Sequence, residues 1–266
     1  MSTNGVARAR VLASVLLALS LCACGVSEEQ EVSVGIENAA QINARMPIVR
    51  DPVVSQYVQE LGLSIARTTT RADLDWRFFI VNSRDINAFA LPGGYIYVNR
   101  GLIERADRLD ELAGALGHEI GHVVRRHSVE QMKKAQGANI AVTLTCTVTR
   151  ICDNSVAQAA IQVGGAALFA KYSRQDEQEA DAEAVNNVIR AGIHPEGIPA
   201  LFERLIAERR ESPMAIEAFF ASHPLEEDRI RESERVIAAL DPASLQGLAR
   251  DLPSYAAFRA RLASLR

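Results

Sequence analysis

The sequence predicts an α+β fold that is mostly helical and contains one small antiparallel sheet. Aromatic residues make up only 5% of the 266 residues, whereas 48% are hydrophobic. An aliphatic core of this kind favours closely packed helices over a large β-sandwich. Apolar residues recur at helical spacing over most of the chain, which predicts several amphipathic helices. Three short runs rich in aromatic and β-branched residues interrupt that pattern between residues 76 and 98 and predict the sheet.

The charge balance excludes one broad class of function. With 29 basic and 33 acidic side chains the formal charge is −4, which argues against a nucleic-acid binder. The composition is that of a globular protein with one full-sized core. A single catalytic domain is therefore the expected organisation.

The first 23 residues have the pattern of a secretory signal. Arg8 and Arg10 precede the apolar stretch Val11–Leu21, which is too short to span a bilayer comfortably. The residues before Cys24 resemble a bacterial lipobox, so we expect Cys24 to be lipidated. An ordinary signal peptide with two incidental cysteines is the alternative. Gly25 is not the aspartate typical of inner-membrane retention, which favours the periplasmic face of the outer membrane.

The remaining cysteines and the first mature residues suggest two further features. Cys146 and Cys152 would be the only thiols left in an oxidising compartment, so we expect a local disulfide between them. The alternative, a pair of soft metal ligands, needs a second pair that the chain does not contain. Residues 24–45 are polar, acidic and poorly periodic, which predicts a tether between the lipid and the domain.

The predicted elements follow in chain order after residue 45. Asp51 followed by Pro52 is typical of a helix N-cap with proline in the first turn, and this helix is expected to run to about Arg67. The strands come next, and the last two are separated by the turn of residues 92–94: Trp76–Val81, Ala88–Leu91 and Tyr95–Val98. Helices are then predicted over five segments: Asp107–Gln136, Arg174–Ala191, Pro195–Arg210, Glu226–Leu240 and Ser254–Leu265. Residues 138–170 are apolar, but no uninterrupted run reaches the roughly 18 residues of a membrane span.

The strongest chemical signal is the HExxH pattern of residues 118–122. On a helix, a spacing of four residues places His118 and His122 on one face, so both imidazoles can bind one zinc ion. Glu119 would then act as general base toward water at the metal. Chance alone produces this pattern in roughly one chain in a hundred. The same helix carries a stripe of glycines, which predicts the close approach of another segment: Gly114, Gly117 and Gly121.

A third ligand is expected from the helix that begins near Arg174. Asp181 lies about 40° around this helix from Glu177, and both fall in its apolar stripe, whereas Glu179 lies about 200° away on the polar face. A buried acid must be paired or metal-bound. We therefore assign Glu177 as the third zinc ligand and Asp181 as the acceptor that orients a ligand histidine. Pairing of both acids with buried arginines is the alternative, and Glu179 is the second candidate ligand.

Four motifs together resemble a known family. They are NAFALPGGYIYVNRGL, HEIGHVVRRH, SRQDEQEAD and SHPLEEDRI. The chain is similar over roughly residues 45–240 to the zinc metallopeptidase family of the CAAX prenyl endopeptidase, HtpX, mitochondrial Oma and BepA. The resemblance implies a zincin-type domain whose zinc ligands are His118, His122 and Glu177. It also implies that Asn87–Gly94 contains an edge strand beside the HExxH helix, on which a peptide substrate aligns by strand addition.

The other histidines have different expected roles. His223 precedes a predicted helix, and the resemblance places it at the active site. It would either donate a hydrogen bond to the oxyanion or ligate zinc as a latch in a resting state. A surface histidine without a catalytic role is the alternative. His127 lies about 140° from His122 on a continuous helix, which excludes it from the same metal and leaves packing or capping. His194 is expected to be structural.

These observations predict a zinc-dependent endopeptidase of the bacterial periplasm that hydrolyses misfolded or unassembled envelope proteins. Its substrates would be unfolded or extended polypeptides, outer-membrane proteins among them. The alternative is a chaperone-like assembly factor with little proteolysis. The expected domains are a signal peptide at residues 1–23, a tether at 24–45, the peptidase domain at 46–240 and a short helical tail at 241–266.

Overall fold

The computed structural model describes residues 26–138, 171–211, 213–224 and 227–265. The predicted signal peptide, the lipidation site Cys24 and the cysteine pair Cys146 and Cys152 lie outside the described residues. The lipid anchor and the disulfide therefore stay predictions. Within the described ranges, no helix is long and apolar enough to cross a membrane.

Helices dominate the described chain, and the predicted fold class is confirmed. The strands are β1 (Arg77–Val81), β2 (Ala88–Leu91) and β3 (Tyr95–Asn99). The helices of the first half are α1 (Glu28–Arg45), α2 (Pro52–Ala66), α3 (Arg100–Arg105), α4 (Leu109–Val124) and α5 (His127–Ala138). Those of the second half are α6 (Arg174–Arg190), α7 (Gly197–Glu211), α8 (Pro213–Ser222), α9 (Glu227–Ala238) and α10 (Pro253–Ser264).

The sheet is mixed rather than antiparallel. Its strand order is β1–β3–β2. The pair β2–β3 is antiparallel, with Phe89 opposite Tyr97, but β1–β3 is parallel, with Phe78 opposite Ile96. The antiparallel prediction is therefore wrong for β1 and β3, because the hairpin after β2 returns the chain to the centre of the sheet. The sequence pattern of three short strands contains no information on strand order. This order makes β2 an edge strand, and it packs against α4 as predicted.

Both faces of the sheet are covered. One face contributes to the main core with α2 and α4, and its residues include Phe78, Ala88 and Val98. The other face forms a second, smaller core with α1: Ala39, Ile42, Met46, Val81, Phe89, Leu91 and Tyr97. Strand β2 is consequently buried on both sides.

The predicted tether is wrong, because residues 28–45 form a regular helix. Ser27 and Gln30 cap it reciprocally, with Ser27 Oγ accepting from Gln30 N at 3.2 Å and Gln30 Oε1 accepting from Ser27 N at 3.0 Å. Only a narrow stripe of α1 is apolar, and it includes Ala39 and Ile42, both buried against the sheet. A polar sequence with so narrow a stripe reveals its helix only when the surface it covers is known.

The C-terminal segment also belongs to the domain. Helix α10 packs on α2, where the rings of Tyr57 and Phe258 stack with centroids 4.4 Å apart. The hydroxyl of Tyr255 donates to the carbonyl of Ala106 at 2.6 Å. The predicted limits of residues 46–240 are therefore too narrow at both ends, because α1 and α10 complete the packed structure.

One predicted helix is divided in two. The segment expected to run from Asp107 to Gln136 breaks between α4 and α5, where Arg126 has a φ of 60°. A non-glycine residue in this left-handed region ends a helix. The break redirects the chain just after the HExxH residues. Helix α3 has only six residues, and α8 is apolar over most of its length. Neither shows a clear amphipathic pattern, and neither was predicted from the sequence.

The glycine stripe of α4 allows α6 and α7 to approach closely, as predicted. A Cβ at Gly121 would lie 2.7 Å from the carbonyl oxygen of Ala180, a backbone atom that cannot swing away. A Cβ at Gly114 would lie 2.8 Å from a side-chain atom of Ile198 on α7. Close packing at these positions fixes α4 against α6 and α7.

We predict that Gly121→Ala lowers the free energy of unfolding. Helix propensity alone favours alanine by about 0.5–1 kcal/mol, but forcing α4 from Ala180 costs about 1–3 kcal/mol. Urea denaturation of the variant and the parent protein measures the difference. Ala260→Gly, at an exposed position within α10, is the control that reports helix propensity. A Gly121→Ala protein more stable than the parent would contradict the close contact.

Candidate active site

Helix α4 presents both HExxH histidines to one point. His118 and His122 are separated by one helical turn, and their Nε2 atoms lie 3.0 Å apart. Both side chains are buried. His118 Nδ1 donates to Asp181 Oδ1 at 2.8 Å, which leaves the lone pair of Nε2 directed at the shared point. The contact between Asp181 and a ligand-type histidine is the one that the sequence predicts.

Helix α6 brings Glu177 to the same point. Its Oε2 lies 3.5 Å from His118 Nε2 and its Oε1 lies 3.4 Å from His122 Nε2. Glu177 is 0% exposed. Glu179, the second candidate ligand, faces away from the two Nε2 atoms, and its Oε2 lies 3.4 Å from His127 Nε2. The helical positions of the two glutamates therefore predicted correctly that Glu177, and not Glu179, lies beside His118 and His122.

The loop after α8 adds His223 to the cluster. His223 Nδ1 lies 3.1 Å from Glu177 Oε1 and 3.3 Å from His118 Nε2. Its Nε2 lies 3.5 Å from Glu119 Oε1. One ligand atom from each of His118, His122, Glu177 and His223 falls within 4.8 Å of the others. The structure therefore brings together all of the residues that the sequence assigns to the site.

The donor set fits zinc. Four ligands at about 2.0–2.2 Å from a tetrahedral ion lie roughly 3.3–3.6 Å from one another. The separations among the ligand atoms of His118, His122 and Glu177 are 3.0, 3.4 and 3.5 Å, close to that spacing. Nitrogen and carboxylate ligands of this composition are typical of zinc.

The charges at the cluster favour a bound cation. Although burial alone would raise the pKa of Glu177, the neighbouring His223, His118 and His122 hold it well below its ordinary value, so the group is a carboxylate. Burial lowers the pKa of His122 well below its ordinary value, so this imidazole is neutral. Burial opposes the charge of His118, but hydrogen bonds to Asp181 and Glu177 raise its pKa to about 9. A metal ion bound here replaces that proton.

Glu119 has the surroundings of a general base. It is buried, and burial raises its pKa above the ordinary value while the charges of His223 and His118 oppose that rise. Its Oε2 accepts no hydrogen bond from the described parts of the chain. A carboxylate with a raised pKa and an unpaired oxygen is suited to accept a proton from water at the metal.

Arg229 is a functional residue that sequence analysis missed. It lies on α9, is 3% exposed, and forms two hydrogen bonds to Asp181, Nε to Oδ2 at 2.8 Å and NH2 to Oδ1 at 2.7 Å. It also pairs with Glu177 Oε2 and donates to the carbonyl of Pro224 at 3.1 Å. Glu177 and Asp181 therefore pair with a buried arginine, as the alternative expected, and also contact the histidines. Arg229 lies in the SHPLEEDRI motif, and its place in that motif was the sequence signal that could have identified it.

His127 and Tyr172 hold His122 from the other side. His127 Nδ1 lies 2.9 Å from His122 Nδ1, so one of the two rings donates to the other. On an unbroken helix His127 would face away from the metal-binding side of His122. The break at Arg126 instead turns His127 back toward His122. The ring of Tyr172 stacks on His122 with centroids 3.9 Å apart, and its hydroxyl lies 3.1 Å from Ser128 Oγ.

His194 lies elsewhere and has structural contacts. Its Nδ1 accepts from the backbone N–H of Glu196 at 3.3 Å, and its Nε2 lies 3.2 Å from an Arg250 nitrogen. These contacts tie the start of α7 to the segment before α10. They agree with the structural role that the sequence predicts.

A metal-ligand set of this kind, with a glutamate base on the same helix and an edge strand beside it, is that of the zinc metallopeptidases. The model of Peptidase family M48 matches residues 52–237, so the chain belongs to that family and the predicted resemblance is confirmed.

Three relatives show how far the similarity extends. The chain is 29% identical over 227 residues to the beta-barrel assembly-enhancing protease of Escherichia coli O157:H7, covering 82% of this chain and 46% of that protein. It is 29% identical over 178 residues to the mitochondrial metalloendopeptidase OMA1 of Schizosaccharomyces pombe, covering 67% and 51%. It is 26% identical over 213 residues to the metalloprotease LoiP of Escherichia coli K12, covering 78% and 80%. The chain thus spans about half the length of the first two.

We predict that Glu177→Ala abolishes zinc binding and that Glu179→Ala does not. Only Glu177 lies within ligand distance of the two histidines, whereas Glu179 contacts His127. Elemental analysis of the two purified proteins measures the zinc content, with the parent protein as reference. Equal zinc content in the two variants would show that Glu177 is not a ligand.

Proposed function

We propose that the chain is a zinc-dependent endopeptidase that cleaves unfolded or extended polypeptides in the bacterial periplasm. The observation that carries the proposal is the convergence of His118, His122, Glu177 and His223 on one point with Glu119 beside it. Membership of family M48 supports it independently.

The chain's own groups have separate tasks in the reaction. His118, His122 and Glu177 would hold a zinc ion, and Asp181 orients His118 through its Nδ1. Zinc, when bound, polarises the scissile carbonyl and makes a water molecule more acidic. Glu119 takes the proton of that water and passes it to the leaving amine. Arg229 balances the charge of Glu177 and Asp181 and, through Pro224, fixes the loop that carries His223.

The edge strand β2 gives the substrate its conformation. Among the described residues β2 pairs with β3 alone, so its second edge is where a peptide would add as a further strand. Binding through the backbone reads little side-chain sequence, which suits unfolded substrates. The Escherichia coli relative is named a beta-barrel assembly-enhancing protease, and this name supports outer-membrane proteins as substrates. The second candidate, a chaperone-like assembly factor, fits the same strand but leaves Glu119 without a task.

His223 is proposed to act as a latch that ligates zinc in the resting state. Its Nδ1 lies within the ligand cluster, 3.1 Å from Glu177 Oε1. His223 and Glu119 are each 1% exposed, so the imidazole and the proposed base are both shielded from solvent. Substrate entry then requires the loop of His223 to move. The other role, an oxyanion donor, would need the imidazole to face the substrate rather than the ligands.

Location is proposed from the N-terminal pattern. A lipid on Cys24 would hold the domain at the periplasmic face of the outer membrane. A disulfide between Cys146 and Cys152 would form in the same compartment. The name of the first relative supports an envelope setting, since it refers to β-barrel assembly.

We predict that Glu119→Gln abolishes proteolysis and retains zinc. The substitution removes only the base, and loss of a general base costs typically about 10²–10⁴-fold in rate. Hydrolysis of reduced, unfolded casein and zinc content are measured on the same preparation. Glu130→Gln, on the exposed face of α5, is the matched control and should retain parental activity. Full activity of Glu119→Gln would end the metallopeptidase assignment.

We predict that His223→Ala raises the basal rate of casein hydrolysis. Removal of a fourth ligand frees one position on the ion for water. The kinetic constants kcat and KM of variant and parent separate the two roles, with His194→Ala as the control that leaves both unchanged. A fall in kcat of roughly 10²-fold would instead assign His223 to the oxyanion and overturn the latch.

A further inference from the structure

A buried carboxylate outside the metal centre connects three parts of the molecule. Glu31, in the first turn of α1, is 1% exposed. Its Oε1 accepts from Arg71 NH1 at 2.7 Å and from the backbone N–H of Gly93 at 3.3 Å. Its Oε2 accepts from Arg126 Nε at 2.7 Å. A carboxylate is stable in such a position only because two guanidinium groups and a backbone donor surround it.

The two arginines connect Glu31 to the end of the HExxH helix. The same NH1 of Arg71 donates to the carbonyl of Val123 at 2.9 Å, in the last turn of α4 and next to His122 in sequence. Arg126 is the residue with positive φ that separates α4 from α5. Glu31 therefore restrains the point at which the helix of the metal ligands ends.

Gly93 connects Glu31 to the edge strand. It lies in the turn between β2 and β3, with a φ of 76°. Helix α1 lies directly on this turn: a Cβ at Gly35 would be 2.0 Å from the carbonyl oxygen of Pro92. The turn is thus confined by packing from α1 and by a hydrogen bond to Glu31.

Apolar packing alone would hold α1 on the sheet, because Ala39, Ile42 and Met46 are buried there. Such contacts tolerate small sliding movements, whereas hydrogen bonds to a buried charge are directional. Through its hydrogen bonds and those of Arg71, Glu31 connects the end of α4 to the turn after β2, the two elements beside which a substrate strand would lie. A fixed distance between them sets where the peptide backbone lies relative to the metal ligands.

We infer that Glu31 is a positioning residue that sets the spacing between edge strand β2 and the HExxH helix, and so the fit of an extended peptide substrate. The inference rests on the proposed peptidase function for its kinetic consequence, but the restraint on the turn and on α4 is independent of it. Among the described residues, the carboxylate of Glu31 bonds to Arg71, Arg126 and Gly93 and to none of the proposed metal ligands. Its loss should affect peptide binding more than chemistry.

The test is Glu31→Gln in the full mature chain, with Glu28→Gln as the matched control. Glu28 pairs with the same Arg71 at 3.1 Å from the same turn of α1, but it is 65% exposed at its side chain. For Glu31→Gln we expect the KM for unfolded casein to rise about tenfold with kcat changed less than about twofold, the pattern of lost binding. Zinc content should equal that of the parent. Glu28→Gln should match the parent in all three.

Amide hydrogen exchange gives a readout that needs no activity. In Glu31→Gln the amide of Gly93 and those of the last turn of α4 should exchange at least about tenfold faster, since local opening is no longer restrained. If the parent protein cleaves no substrate, this measurement still decides the restraint while the proposed function fails. Parental exchange rates in Glu31→Gln, or a loss confined to kcat, would overturn the inference.

A second variant covers the case in which Glu31→Gln does not fold. Arg126→Gln removes one guanidinium and leaves Arg71, Gly93 and Glu31 in contact. It should raise the KM by a smaller factor and speed exchange at the end of α4 but not at Gly93. Equal acceleration at both places would indicate general loosening of the fold and contradict the role of Glu31.

Discussion

The structure depends on the burial of two acids, Glu177 and Asp181, on one face of α6. Neither carboxylate is stable in a core without partners. The partners come from three directions: histidines from α4, Arg229 from α9 and His223 from the loop between α8 and α9. The tight contact of α4 with α6 at Gly121 brings the first of these within reach. Because buried carboxylates are stable only beside positive charge, the cluster around Glu177 favours binding of a metal cation.

Each of the candidate ligands His118, His122 and Glu177 is held in turn by a further residue. Asp181 fixes the ring of His118, and His127 does the same for His122. Arg229 binds Asp181, contacts Glu177 and also reaches the backbone at Pro224. Chains of this kind orient imidazoles before a metal arrives and restrict which nitrogen has its lone pair free. Through Arg229 they also connect the loop of His223 to Glu177 and Asp181, which supports the proposed latch.

Two helices near the ends of the chain complete the packed domain. Helix α1 covers the outer face of the sheet, and α10 packs on α2 against its inner layer. The match to family M48 begins at residue 52 and ends at residue 237, so α1 and α10 lie outside it. Edge strand β2 and the metal-binding helices therefore both lie in the matched region, and α1 adds the hydrogen bond and the packing at the turn after β2.

The sequence by itself determined what depends on local geometry. The four-residue spacing of His118 and His122, the helical position of Glu177 relative to Glu179, and the caps and turns at Asp51 and residues 92–94 depend only on neighbours within a few residues. The tertiary structure alone decided the parallel pairing of β1 with β3, the helix at residues 28–45, and the roles of Arg229 and His127. Each of these requires a partner that is distant in sequence: a strand returning to the centre of the sheet, an apolar sheet face, a carboxylate on another helix, or a helix break at Arg126. Strand order, the burial of a polar segment and the pairing of buried charges are set by free energies of long-range contact, which periodicity within one segment does not contain.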